Sequence, residues 1–235
     1  MKKVLLISPP MSLTARHANF NVNFPLGPGY IAARLEQTSS YEVVMLDSLI
    51  EKIDQKIPIP GKPGLFRFGM TAVEIQQFVT DCKPDYVGVK SKFTQQFENT
   101  DFVCNAVKEV QPNTPVVVGG AHATANPQGV LDNKSIDYVV VGEGEEIMLQ
   151  LLDAIENNED IGSIPNLCYV NETGEKIVKP VTFFPDVNSL PFPARHLLPT
   201  EEYIVAGERH GGFLAKGSRS ISIMTSRGCP FICNF

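Results

Sequence analysis

Cys229 and Cys233 stand four residues apart in Gly228-Cys229-Pro230-Phe231-Ile232-Cys233-Asn234-Phe235, one position short of a third cysteine that would complete C-x3-C-x2-C. Such a triplet holds three irons of a 4Fe-4S cube and leaves the fourth iron open to a substrate or cofactor. Soft thiolates suit iron, and close spacing on one loop lets them converge with little chain to order. The spacing alone also fits a fortuitous pair, or half of a zinc site that would need two further ligands. The preceding Ser220-Ile221-Ser222-Ile223-Met224-Thr225-Ser226-Arg227 alternates, is rich in β-branched residues and breaks at Gly228. That pattern predicts a strand with the cysteines on the loop leaving it. On this reading the chain stops inside an active-site loop.

The elements ahead of that loop follow from hydrophobic pattern. Short apolar runs at Lys3 to Ile7, Val43 to Leu46, Tyr86 to Val89, Val116 to Val118 and Tyr138 to Val141 lack polar alternation, so they predict strands buried on both faces. Between them, Gly29 to Glu36, Ala72 to Cys82, Asn99 to Val110 and Glu145 to Glu156 carry apolar residues at helical spacing, with Pro127 to Asp132 a shorter candidate. Strand-helix alternation implies right-handed parallel crossovers. The expected fold is therefore α/β: a Rossmann-like, doubly wound, five-stranded parallel sheet. Residues 51–70, rich in Pro and Gly, predict a surface excursion. Residues 166–178 predict a hairpin with a polar turn, and Phe184 to Arg195 a Pro-rich connector.

Ligands of such sheets bind beyond the carboxyl ends of the strands, near the switch in strand order. That rule nominates Ser8 to Pro10, Asp47, Lys90 to Thr94, Gly119 to Thr124 and Gly142 to Glu145. A dinucleotide would want G-x-G-x-x-G directly after the first strand. The early glycines instead lie about twenty residues later, in Pro25-Leu26-Gly27-Pro28-Gly29-Tyr30, and are mixed with prolines, which argues against flavin or nicotinamide.

Composition narrows the classes further. The 235 residues carry 20 basic and 26 acidic side chains, a net charge of −6, which argues against a nucleic-acid-binding domain. No apolar run approaches the ~20 residues of a membrane span, and the first run is too short for a signal peptide. Five cysteines, an odd number in a long chain, suit a reducing cytosol rather than a disulfide framework, so a cytoplasmic location is expected. Cys82 and Cys104 read as small buried apolar residues.

Thr225 to Phe235 resembles the cluster loop of radical S-adenosylmethionine (SAM) enzymes. Leu5 to Pro10, Pro25 to Ala32, Val116 to Thr124 and Val139 to Glu145, in that order, resemble the cobalamin-binding domain at the front of one large class of those proteins. Leu190 to Arg195 is similar to the class's interdomain linker. The resemblance implies three segments: a cobalamin-binding domain over 1–160, a hairpin and linker over 161–218, and the start of a radical SAM barrel over 219–235. It implies cobalamin, with a 4Fe-4S cluster and SAM in the full-length parent, and Cys229 and Cys233 as cluster ligands. The cofactor's dimethylbenzimidazole tail would enter between the ends of the first, third and fourth core strands. The residues implied for the cofactor are Ser8, Pro9, Ser91, Thr94, Gly119, Gly120, His122, Gly142 and Glu143, with Gly119-Gly120 sparing room for a flat ring or phosphate. In such enzymes the open iron binds SAM, an electron cleaves it to a 5'-deoxyadenosyl radical, and cobalamin commonly supplies a methyl group. The missing carboxyl-terminal barrel would be the chain's partner, and the chain alone is expected to be inactive.

Several positions depart from the class or carry a plainer reading. Many cobalamin domains have D-x-H-x-x-G after the first strand, whose histidine ligates cobalt with the aspartate behind it. Here Thr14-Ala15-Arg16-His17-Ala18-Asn19 lacks both the Asp and the Gly, so His17 reads as a loop residue. Lys90 and Lys92 stand at the ligand edge and read as a solvated strand end, with contact to the cobalamin phosphate or to a substrate's anionic group the alternative. Asp47 reads as a ligand contact or a cap. Glu143 and Glu145 read as a helix-start and domain-contact feature. The competing functional class is a non-catalytic Rossmann-like docking module.

Overall fold

The computed structural model describes residues 1–14, 22–210, 219 and 221–228. His17, Cys229 and Cys233 lie outside the described residues, and so do the expected metal site and the cobalt-ligand question. The chain order is β1 (Lys2–Ser8), β2 (Met11–Thr14), α1 (Leu26–Glu36), β3 (Tyr41–Asp47), α2 (Ser48–Glu51), β4 (Lys56–Pro58), β5 (Leu65–Phe68), α3 (Ala72–Cys82) and β6 (Tyr86–Lys90). It continues through α4 (Phe97–Val110), β7 (Val116–Gly119), α5 (Ala121–Ala125), α6 (Pro127–Val130), β8 (Tyr138–Val140), α7 (Glu145–Asn157), β9 (Leu167–Val170), β10 (Lys176–Ile177) and α8 (Thr200–His210).

The main sheet has the order β10-β9-β8-β7-β6-β1-β3. Its five-strand centre, β8-β7-β6-β1-β3, is parallel throughout, as the unbroken apolar runs require. The hairpin β9-β10 pairs antiparallel onto β8 and extends the same sheet. Alternation along β1 shows why Val4 to Ile7 holds no polar residue. Val4 and Leu6 enter a core with α1 and α7, while Leu5 and Ile7 enter a second core with α3 and α4. Each fully buried Leu or Ile of this kind stabilises by about 1.5–3 kcal/mol relative to exposure.

Helix boundaries follow local chemistry. Thr71 opens α3 with a capping box, accepting from the Glu74 amide at 3.2 Å while the Glu74 carboxylate takes the Thr71 amide at 2.7 Å. In α7, Ile147, Met148, Leu151 and Leu152 make the buried face, and the helix stops at Asn158 in the left-handed region, φ 54°.

Three expectations change. The excursion over residues 51–70 contains β4 and β5, which join β2 in a separate three-stranded antiparallel sheet. The Pro/Gly content hid it, because its strands are only three or four residues long. Helix α5 directly follows Gly120 and lies outside the helical runs read from the sequence pattern. The strand predicted up to Arg227 is absent: residues 221–227 have no ladder. A strand exists by pairing its backbone groups with another strand, and no described strand pairs with this segment.

Candidate functional site

From β1 the chain passes to β3 on one side and then crosses back to β6 on the other, so the switch in strand order lies between β1 and β6. A cavity of about 610 Å³ opens there. Its floor is one face of the sheet, with Leu6, Gly88, Val117, Gly119 and Val140. Its walls are the first turns of α1 (Gly27, Pro28, Ile31) and the start of α7 (Gly144, Glu145, Met148), and the loop after β7 closes one end.

Two glycines keep that floor low. A Cβ on Gly119 would have no atom nearer than 3.7 Å, so the space it would occupy is cavity. Gly88 sits mid-strand between valines, where a side chain would meet Leu6 Cδ2 at 2.6 Å. A glycine inside an apolar strand marks close approach of a neighbour or ligand. Sequence reasoning passed over Gly88, Ile31 and Met148, although the Val87-Gly88-Val89 break was a usable signal.

Gly120 and Gly142 also line the cavity, but protein packing fixes them. Gly120 has φ 116°, and its Cβ would stand 2.6 Å from the Ser91 carbonyl oxygen. Gly142 has φ 77°, and its amide donates to Thr124 Oγ1 at 2.9 Å. Of the other expected residues, Glu143 reaches the rim, whereas Ser8, Pro9, Ser91, Thr94 and His122 lie outside the lining. His122 is buried, holds Thr94 Oγ1 through Nδ1 at 3.0 Å, and packs against the Phe97 ring with centroids 4.7 Å apart. Thr94 faces a second, more polar cavity shared with Ser12 and Gln96.

At the rim, Arg227 pairs with Glu143 and places Nη2 2.6 Å from Glu145 Oε1, with its guanidinium over the Tyr30 ring at 4.6 Å. Burial alone would lower its pKa, but the Glu145 and Glu143 carboxylates outweigh that and raise it. Both glutamates thus pair with Arg227, two residues before Cys229 in the sequence.

The polar residues at the strand ends form a second group. Asp47 caps α2, taking the Leu49 amide at 3.1 Å, and accepts the Tyr203 hydroxyl at 2.8 Å from α8. Burial raises its pKa. Lys90 is half-buried rather than fully solvated: burial lowers its pKa, and only Asp47 opposes that shift. The register aligns the ends of three adjacent strands, so its side chain turns to the cavity face with Gly88. Lys92 is exposed, as expected, with its ammonium 4.7 Å from the Phe93 ring centroid.

Among the described residues no three potential ligands form a metal cluster. Cys104 and Cys168 are buried and Cys82 half-buried, and burial raises all three thiols. No described helix is long and apolar enough to cross a membrane.

The family model of the B12 binding domain matches residues 20–152. The chain belongs to that family. Within the B12-binding match lie the cavity's walls from Gly27 to Met148. Cytidylyl-2-hydroxyethylphosphonate methyltransferase of Streptomyces wedmorensis is 29% identical over all of this chain and 47% of its own length. An uncharacterized methyltransferase of Pyrococcus horikoshii is 27% identical over 99% of this chain and 44% of its own. The chain thus spans about half the length of these relatives. Among solved structures, the cobalamin-dependent S-adenosylmethionine radical enzyme OxsB, with aqua-cobalamin and S-adenosylmethionine bound, superposes on 88% of this chain and 25% of its own, with TM-score 0.66 and 17% identity. The radical S-adenosylmethionine methyltransferase TsrM of Kitasatospora setae superposes on 82% of this chain and 31% of its own, with TM-score 0.55 and 22% identity. At those identities the likeness establishes the B12-binding fold.

Proposed function

We propose that this B12-binding chain holds cobalamin with its dimethylbenzimidazole tail in the 610 Å³ cavity, and that it does so as part of a radical SAM methyltransferase. The observation that carries the reading is the cavity itself: a largely apolar slot at the topological switch, floored where Gly88 and Gly119 omit side chains. A flat bicyclic base needs such a slot, and burying its apolar faces contributes roughly 25 cal/mol per Å². The residues fit the group. Leu6, Val117, Val140, Ile31 and Met148 would pack the tail, and the backbone around Gly119 would border its sugar-phosphate end.

Cobalamin, when bound, supplies a cobalt centre that carries a methyl group. The protein's own share is positional. Arg227 ties the segment preceding Cys229 to the cavity rim through Glu143 and Glu145, which would hold a cluster loop near the cofactor. Cys229 and Cys233 are proposed as two of the cluster's thiolates in the complete protein. The methyltransferase names of the Streptomyces and Pyrococcus relatives, and the cobalamin and SAM in the OxsB structure, support this reading.

The test is anaerobic titration with hydroxocobalamin followed by desalting. Retained cofactor with its benzimidazole displaced from cobalt is expected. Absence of retention would favour an empty Rossmann-like module.

A further inference from the structure

The cavity's charged lining resolves into groups with a partner and one without. Glu143 and Glu145 are occupied by Arg227, and Lys92 is exposed over Phe93. Lys90 remains. It ends β6 on the same face as Gly88, two residues back, and so turns to the cavity. Among the described residues its ammonium has no hydrogen-bond or ion-pair partner, and burial lowers its pKa. Asp47 opposes that effect only through space. Its two oxygens serve the Leu49 amide and the Tyr203 hydroxyl, and it stands two strands away, roughly 10 Å at the backbone.

Between them, on β1, is Ser8. It pairs in register with Asp47, and the β1–β6 register, continued by one residue, sets it beside Lys90. Ser8 is 4% exposed and its hydroxyl has no partner. A half-buried ammonium without a counter-ion and a buried hydroxyl left unsatisfied are both costly, and of the two only Lys90 lines the cavity, where a ligand can reach it. What completes a cationic donor on the cavity wall is an oxyanion.

We infer that Lys90 is the subsite for the anionic phosphodiester of the cofactor's nucleotide tail. This rests on the cobalamin reading above and adds to it the residue that recognises the tail's charge. The benzimidazole lies in the apolar slot floored by Gly88 and Gly119, and the phosphodiester meets the ammonium at the end of the same strand. Asp47 stays out of contact and balances the lysine's charge while the site is open.

The test compares hydroxocobalamin with hydroxocobinamide, which has the same cobalt and corrin but lacks the phosphate, ribose and base. Dissociation constants are measured for the wild-type chain, Lys90→Met and Lys90→Arg, with a urea unfolding curve for each. Lys90→Met is expected to weaken hydroxocobalamin by about 10- to 100-fold, the loss of one charge-assisted hydrogen bond. It should leave hydroxocobinamide within about twofold, a coupling that only contact with the tail produces. Lys90→Arg should keep most of the hydroxocobalamin affinity. Equal losses for both ligands, or no loss for either, would overturn the subsite while leaving cobalamin binding intact. A wild-type chain that retains no hydroxocobalamin would overturn both. If Lys90→Met does not fold, the wild-type chain still decides: hydroxocobalamin should weaken more steeply with salt than hydroxocobinamide, and identical salt slopes would refute the subsite.

Discussion

Replacing Arg227 by alanine should destabilise the chain by about 3 kcal/mol, and nearly all of that loss should trace to one glutamate. The Arg227 and Glu145 side chains are 12% and 3% exposed, whereas Glu143 is 39% exposed. Removing one partner of a buried pair costs ~3–5 kcal/mol because the other charge stays buried, while an exposed pair contributes ~0–1 kcal/mol. Glu145 Oε2 already has no hydrogen-bond partner, so without Arg227 the carboxylate keeps none. The adjoining cavity lets water approach, which places the loss at the low end of the buried range. About 3 kcal/mol corresponds to roughly 6–12 °C in Tm for a chain of this size. Urea unfolding of wild type, Arg227→Ala and Arg227→Ala/Glu145→Gln measures it directly. The double variant removes the stranded charge and should recover most of the loss. A loss under about 1 kcal/mol, or no recovery in the double variant, would refute the buried-pair reasoning and leave Arg227 as a surface contact.

Neighbouring glycines should behave oppositely. Gly120→Ala forces a Cβ onto a φ of 116° and to 2.6 Å from the Ser91 carbonyl oxygen, and should cost at least ~2 kcal/mol. Gly119→Ala meets nothing nearer than 3.7 Å and should fall within about 0.5 kcal/mol of wild type. Equal urea midpoints would contradict both assignments. Asp47 predicts a pH effect. Burial raises its folded pKa, so the stability it contributes is fully present below its unfolded value of about 4 and is lost as pH rises through the higher folded value. Unfolding curves from pH 7 down to pH 5 should therefore shift in favour of wild type relative to Asp47→Asn, and a gap that ignores pH would count against a raised pKa.

The sheet was legible because a strand buried on both faces cannot hide: Val4 to Ile7 and Val116 to Val118 admit no polar residue. The α3 span matched the pattern because Thr71 and Glu74 announce its start. What escaped was structure whose stability is non-local. The β2-β5-β4 sheet has strands too short for a periodic signal and exists through pairing across some fifty residues of sequence. At the site, Gly119 and Gly142 were found from their place after strands, and the cavity includes both. Gly88 escapes the strand-end rule because the cavity reaches down the face of the sheet. Thr94 and His122 were drawn to the ligand edge by position alone; side-chain geometry turns them toward each other. Lys90 was read as solvated because sequence cannot show that Asp47, Ser8 and Tyr203 gather around the same strand ends.

Cobalamin retention in wild type and Gly119→Leu tests the central claim most directly. Each chain is mixed with excess hydroxocobalamin, desalted, and read by its visible spectrum against protein concentration, with a urea curve to show that both are folded. The cavity reading predicts near-stoichiometric cofactor on the wild type, its benzimidazole off cobalt, and little on the variant whose leucine fills the space above the sheet. Equal retention by both chains would place the cofactor elsewhere, and none on the wild type would mean that the cavity does not hold it.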